Sequence, residues 1–335
     1  MKNQGSLVQL ENVAIGYKSH PTKVVKSGIT LEALPSELVA IIGENGVGKS
    51  TLLKTLGGFL PPIEGKLTIG EKSVHDYQEK ELAKILSYVS TEQIRVPNLN
   101  VYDLVSLGRY PHTNWFGKLM TEDRLLIEEA IVAVGLQGFE DRLVNNLSDG
   151  ERQKVMIARA LAQDTPIIIL DEPTAFLDLS NKFELVHILQ QLARTKGKTI
   201  LFSTHDLTTA LSESDRMWLM LKDSIQQGSP EDLILNGSFN ALFDQKQLNF
   251  DREKGDFKIR KTTTRLAIVT GDGERLTWTT KALERNGILV ADNTTVNGAS
   301  LNIQIGINAW TLEHDKKKQQ FTSLYSMCQY LRDLK

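Results

Sequence analysis

Ile41-Ile42-Gly43-Glu44-Asn45-Gly46-Val47-Gly48-Lys49-Ser50-Thr51 is the stretch on which the reading of this chain turns. An apolar strand end runs into a glycine-rich loop and then into the start of a helix. Gly43, Gly46 and Gly48 let the backbone bend where side chains would clash, so successive N–H groups can point at phosphate oxygens while the helix presents its positive end. In such a cradle Lys49 reaches the β- and γ-phosphates, and Ser50 offers its hydroxyl to Mg²⁺. A glycine turn before an ordinary helix looks the same locally, and two downstream stretches decide between the readings.

The first is Leu147-Ser148-Asp149-Gly150-Glu151-Arg152-Gln153, followed by a helical run to about Ala162. Ser148 and Glu151 stand in the S-x-x-E relation of a capping box. A capped helix start beginning Ser-x-Gly also offers a hydroxyl, backbone N–H groups and a dipole to an anion. The second is Pro166-Ile167-Ile168-Ile169-Leu170-Asp171-Glu172-Pro173, which reads as a parallel strand buried on both faces and ending in two acids. Ligands of open α/β sheets lie beyond the strand C-termini, so Asp171 and Glu172 are expected beside the cradle. Asp171 suits Mg²⁺ and Glu172 suits a water to be positioned or deprotonated. Thr199-Ile200-Leu201-Phe202-Ser203 ends in Thr204-His205-Asp206 and brings a histidine to the same edge.

Composition narrows the partners. The 335 residues, 41% hydrophobic and 24% charged, suit about two domains. A formal net charge of −2 supplies no basic field for nucleic acid. No secretory signal is expected at Met1–Val8, and no apolar run approaches the roughly 20 residues of a membrane helix, so a soluble chain is expected. Cys328, the one cysteine, has no internal disulfide partner, which fits a reducing compartment.

Before the cradle, Leu7–Leu10, Val13–Ile15 and Leu38–Ile42 read as strands separated by turn-rich segments. Tyr17 either stacks on an adenine or is a half-buried strand residue. Past the cradle come a helix from Lys49 to Gly57, a strand at Leu67–Gly70, a helix from Glu79 to Ile85 and a strand at Leu86–Ser90. Apolar spacing then becomes helical over Val101–Arg109 and Glu122–Val134, the latter with Thr121 as N-cap, which marks a helical insertion. The loop Arg109-Tyr110-Pro111-His112-Thr113-Asn114-Trp115-Phe116-Gly117 either covers a core or offers aromatics and an arginine to a partner.

With the cradle, the Leu147–Glu151 stretch and the Ile167–Glu172 run in this order and spacing, the chain resembles ABC-transporter ATPase subunits over residues 5 to 237. The resemblance implies a P-loop NTPase (RecA-like) α/β core with an antiparallel β subdomain and a helical subdomain at about 94–160. It makes Tyr17 the adenine-stacking residue, Gln93 the lid glutamine that serves Mg²⁺ with Ser50 and Asp171, Leu177-Asp178 the loop before the partner subunit, and His205 the switch histidine steadying the γ-phosphate. It implies a homodimer with two ATP molecules, each between one cradle (Gly43, Glu44, Asn45, Gly46, Val47, Gly48, Lys49, Ser50, Thr51) and Ser148-Asp149-Gly150 of the other subunit. Asn100–Pro111, followed by Trp115-Phe116-Gly117, is similar to importers of iron-siderophore complexes, haem and cobalamin. A permease docked near residues 93–117, an indirect binding-protein partner, no nucleic acid, and a peripheral place on the cytoplasmic face of the inner (plasma) membrane are the corresponding expectations. A soluble relative acting on ribosomes or DNA is the alternative, and a short single insertion argues against it.

Asp149 and Glu151 depart from the family's Leu-Ser-Gly-Gly-Gln. The expectation is that Glu151 turns back into the capping box and Asp149 faces solvent or an arginine. Residues from about 250 to 335 lie outside the ATPase pattern and read as a small α+β domain, against 1–240 for the ATPase domain. Its last helix is expected to carry Phe321, Leu324, Tyr325, Cys328 and Leu331 on one face. Thr270-Gly271-Asp272-Gly273 reads as a tight turn, and regulation, ligand binding and dimer contacts all remain open for this domain.

Overall fold

A computed structural model of the protein describes residues 5–90, 98–114, 117–175, 177–243, 248–251, 256–259, 265–291, 301–315 and 317–334. The chain divides into two compact units, Met1–Asp244 and Gln245–Lys335.

The first unit opens with β1 (Val8–Tyr17) and β2 (Lys23–Ala33). Then β3 (Leu38–Gly43) feeds the glycine loop and α1 (Lys49–Leu56), followed by β4 (Glu64–Ile69) and the short β5 (Lys72–Ser73). These strands, apart from β3, form an antiparallel sheet in the order β2-β1-β4-β5. Sequence reading expects turns where β2 runs. Only its second half alternates, burying Ile29, Leu31 and Ala33; in the first half the buried position belongs to Lys26, whose Nζ donates to the carbonyls of Leu221 and, at 2.6 Å, Lys222. A buried lysine hides the apolar period.

Next come α2 (Glu79–Leu82), β6 (Leu86–Val89), α3 (Val101–Ser106), a 3₁₀ segment at Leu107–His112, α4 (Thr121–Ala133) and α5 (Asp149–Ala162). The unit closes with β7 (Ile167–Leu170), α6 (Leu179–Lys196), β8 (Thr199–Thr204), α7 (Leu207–Glu213), β9 (Arg216–Met220), β10 (Ile225–Gly228) and α8 (Pro230–Leu235). The second sheet runs β10-β9-β3-β8-β7-β6 and is parallel except for β10. β7 and β8 are buried at every residue, as strands covered on both faces must be. One apolar core joins α1 and both sheets, with Leu10, Ile29, Ile41, Leu52, Ile169 and Trp218 among its members.

The helical insertion differs from expectation in two details and decides a third that the sequence left open. The helix from Val101 ends at Ser106 and tightens into 3₁₀ turns containing Pro111, which has no N–H for an α-helical bond. Thr121 is the first residue of α4 rather than its cap; Met120 is the cap, its N–H donating to Asp123 Oδ2 at 2.8 Å. Arg109 is not a partner-facing arginine. It is buried, and its Nε donates to Asp123 Oδ1 at 2.8 Å, with side chains only 7% and 8% exposed. Tyr110 is exposed, whereas Trp115 and Phe116 lie outside the described residues. The helix from Glu79 also ends early, at Leu82.

The second unit begins with a hairpin, β11 (Leu248–Asp251) and β12 (Asp256–Ile259). β13 (Arg265–Thr270), α9 (Gly273–Arg285), β14 (Ile288–Ala291), β15 (Leu301–Ile305), β16 (Trp310–His314), β17 (Lys317–Phe321) and α10 (Leu324–Asp333) follow. The five strands order as β14-β13-β15-β16-β17; β13 is parallel to both neighbours, and β15 to β17 are antiparallel. Thr270–Gly273 connects β13 to α9. The expected face of the last helix needs correction: Phe321 ends β17, Tyr325 is 72% exposed, and α10 buries Met327, Cys328 and Leu331.

Candidate nucleotide site

β3, β8 and β7 lie side by side, with Ile42 opposite Thr204 and Leu170 opposite Phe202, so their C-terminal ends meet at one edge. The glycine loop leaves β3 there. Gly46 (φ 82°) and Gly48 (φ 110°) occupy left-handed backbone that side chains disfavour, and a Cβ on Gly48 would sit 2.7 Å from Val25 Cγ1. Glu44, Asn45 and Gly46 are exposed on the loop, Gly43 and Val47 half-buried. Lys49 is buried, with Nζ donating to the carbonyls of Gly43 (2.8 Å) and Glu44 (3.2 Å). Burial lowers its pKa, and the nearby carboxylates of Glu172 and Asp171 partly restore it.

Ser50 Oγ donates to Asp171 Oδ1 at 3.2 Å, and the same oxygen accepts from Ser203 Oγ at 2.7 Å. Ser203 Oγ in turn accepts the backbone N–H of Glu172 at 2.8 Å. Ser203 therefore ties both acids to the end of β8, a part sequence reading did not assign. Its only signal was its place just before Thr204-His205. Glu172 takes φ 48°, an energetically costly conformation for a non-glycine residue, and it follows the buried Asp171 directly. Tyr17 is 44% exposed with its hydroxyl 3.4 Å from Thr51 Oγ1, so an aromatic ring stands at the cradle's rim. His205 is exposed at the end of β8. Gln93 lies outside the described residues.

A second group forms at the start of α5. Ser148 caps it, and Glu151 reaches back to accept the Ser148 N–H and hydroxyl, both at 2.8 Å. Those bonds, the backbone one foremost, hold the Glu151 carboxyl below the usual carboxylate range. Asp149 pairs with Arg152 at 2.9 Å. Asp178 caps α6, accepting from Asn181 N at 2.8 Å and Asn181 Nδ2 at 3.0 Å, and a Cβ on Gly150 would lie 3.3 Å from that Asn181 side chain. Ser148, Gly150 and Asp178 thus share one surface through Asn181.

The edge offers the amides of a glycine loop, a lysine, and hard oxygen donors from a hydroxyl and a carboxylate. That donor set fits Mg²⁺, which takes one or two protein oxygens and completes its shell with water and substrate phosphates. Among the described residues no cluster of three or more His, Cys, Asp or Glu suited to a metal occurs.

Residues 27–175 match the family described as ABC transporter, and residues 264–332 match the iron ABC transporter C-terminal domain. An uncharacterized ABC transporter ATP-binding protein of Methanocaldococcus jannaschii is 38% identical over 271 residues, spanning 80% of this chain and 92% of that protein. The chain belongs to the ABC transporter ATP-binding proteins. Another such protein, the iron(3+)-hydroxamate import ATP-binding protein FhuC of Bacillus subtilis, is 35% identical over 70% of this chain and 86% of its own length. A dimeric ATP-binding cassette, MJ0796, solved in a post-hydrolysis state with ADP and phosphate, superposes with a TM-score of 0.58 at 28% identity, covering 67% of this chain and 98% of that one. This ABC protein is accordingly an ATPase with a P-loop NTPase core. No described helix is long and apolar enough to cross a membrane.

Proposed function

We propose that this ATPase powers import of an iron chelate of the siderophore class, working as a homodimer on the cytoplasmic face of a membrane permease. The carrying observation is the match of residues 264–332 to the iron ABC transporter C-terminal domain, supported by the similarity to an iron-hydroxamate import subunit. Leu107 and Tyr110, 55% and 77% exposed, are the described residues offered to the permease within the broader 93–117 region. Co-purification with the permease and its binding protein, reconstitution in liposomes and uptake of ferric hydroxamate, haem and cobalamin is the test. ATP-dependent uptake of the ferric chelate is expected; uptake confined to haem or cobalamin rejects the reading.

In each site the amides of Gly46–Lys49 and the Lys49 ammonium hold the β- and γ-phosphates, and the ring of Tyr17 stacks on adenine. Ser50 and Asp171, with Gln93 as a third ligand by family resemblance, would hold Mg²⁺, which would offset charge on the transferred phosphoryl group. Glu172 accepts the proton of the attacking water, and His205 steadies the γ-phosphate. Ser148, Gly150 and Asp178 of the opposite subunit complete the enclosure. Phosphoryl transfer asks for positioning and charge compensation above all, which these groups supply.

The acids of the signature do not oppose closure in this reading, because both are engaged within their own helix. Asp149→Gly combined with Glu151→Gln is expected to change the ATPase rate and ATP-dependent dimerisation by less than about twofold, since an exposed pair contributes little. Thermal stability should fall modestly: a glutamine at 151 can still close the capping box on Ser148, but glycine at 149 lowers helix propensity and removes the pair with Arg152. A large gain in both rate and dimerisation would show instead that the carboxylates face the nucleotide.

A further inference from the structure

The 3₁₀ segment Leu107–His112 has two faces. Leu107 and Tyr110, three residues apart and therefore on one side of a 3₁₀ turn, are exposed. Gly108 and Arg109 are buried. A Cβ on Gly108 would lie 2.2 Å from the carbonyl oxygen of Arg159, a backbone approach only glycine permits. Arg109 Nη1 donates to the carbonyl of Ala162 at 2.8 Å, and His112 Nε2 lies 2.9 Å from the carbonyl oxygen of Gln163. A carbonyl only accepts, so His112 carries its proton on Nε2. The last carbonyls of a helix have no partner inside it, and this one segment takes up two of them at the end of α5.

The same end of α5 is tied to the parallel sheet. Gln163 Nε2 donates to the carbonyls of Ala83 (2.6 Å) and Leu86 (3.1 Å), at the start of β6, and Thr165 Oγ1 donates to Ser87 Oγ at 3.1 Å. Two stiff elements leave this point. α5 runs back 14 residues, about 20 Å at 1.5 Å per residue, to Ser148. β7 runs forward to Asp171 and Glu172.

We infer that Gly108–His112 is a clasp on the C-terminal end of α5, with Arg109 and His112 as positioning residues. Load applied by the permease at Leu107 and Tyr110 passes through their bonds into α5, and so to Ser148 at one end and the Asp171–Glu172 pair at the other. The inference rests on the importer reading and deepens it by naming the residues that carry the coupling. A plain helix cap would act differently, because its loss would lower stability and rate with or without the permease.

His112 tests this without disturbing the core, since it is exposed, has no part in the nucleotide site, and within the 93–117 region is not one of the two residues, Leu107 and Tyr110, that meet the permease in this reading. In the reconstituted complex, His112→Ala is expected to cut permease-stimulated hydrolysis and transport per ATP by about fivefold or more, the lower range of coupling between sites. In the isolated full-length subunit, kcat and KM for ATP should stay within about twofold. His112→Gln, whose Nε2 can donate to the same carbonyl, should restore coupling. Retained stimulation in His112→Ala, failure of Gln to restore it, or an equal loss in the isolated subunit would each overturn the clasp. A wild-type complex with no permease stimulation would instead bring down the importer reading, and the clasp with it.

Discussion

Glu172→Gln is expected to slow ATP turnover by about 10²–10⁴-fold, the usual contribution of a positioned base, while ATP affinity changes little. Gln keeps the size of the side chain and the backbone N–H donated to Ser203 Oγ at 2.8 Å, so the left-handed conformation and the Ser203–Asp171 contact survive. What is lost is the group that accepts the water's proton. Closed dimers with ATP trapped in both sites should therefore accumulate, visible as a doubled mass on size exclusion that appears only with ATP. Unchanged hydrolysis in this variant would remove Glu172 from the mechanism. Hydrolysis lost together with ATP binding would show that the substitution had disturbed the cradle.

Arg109→Met is expected to destabilise the first unit by about 3 kcal/mol, because breaking a buried ion pair strands its other member. Asp123 would keep only the Met120 N–H, and the Ala162 carbonyl would lose its donor. For a unit of this size that is a fall in Tm of roughly 6–12 °C. Adding Asp123→Leu should recover much of the loss, since an apolar pair of similar volume is often neutral in such a place. The pH dependence has a definite sign. The Met120 N–H foremost, and then Arg109, hold the Asp123 carboxyl below its ordinary value, so the stability it contributes is present above the unfolded value near 4 and fades as pH falls through the lower native one. The gap between wild type and Arg109→Met, measured by thermal unfolding, should be widest above about pH 5 and narrow below about pH 4. A gap independent of pH would show that Arg109 acts by packing alone.

The elements of the candidate site were legible because its parts are local. A glycine loop between an apolar strand and a helix, a Ser-x-x-Glu helix start, and an apolar run ending in two acids each declare themselves within a dozen residues. The places where reading failed have one cause. β2 was missed because Lys26 occupies a buried position that only the carbonyls of Leu221 and Lys222, almost two hundred residues on, make tolerable. Whether Arg109 covered a core or faced a partner stayed open because nothing in its own stretch reveals Asp123 and Ala162. The face of α10 was misjudged because Phe321 and Tyr325 share helical spacing with Cys328 although the strand β17 ends between them and the true inward residue is Met327.

The amino-acid sequence by itself determined that this chain has a glycine loop between a strand and a helix, a helix start capped by Ser148, an acidic strand end and a compact C-terminal unit, because those follow from backbone freedom, capping and apolar period over short spans. Only the tertiary structure decided that Ser203 holds Asp171 and Glu172 together, that Asn181 joins Gly150 to Asp178, and that Arg109 and His112 close on the end of α5. Ser50 and Asp171 meet across 121 residues of chain. Such meetings depend on which strand ends the sheet order sets side by side, and no local pattern encodes that order.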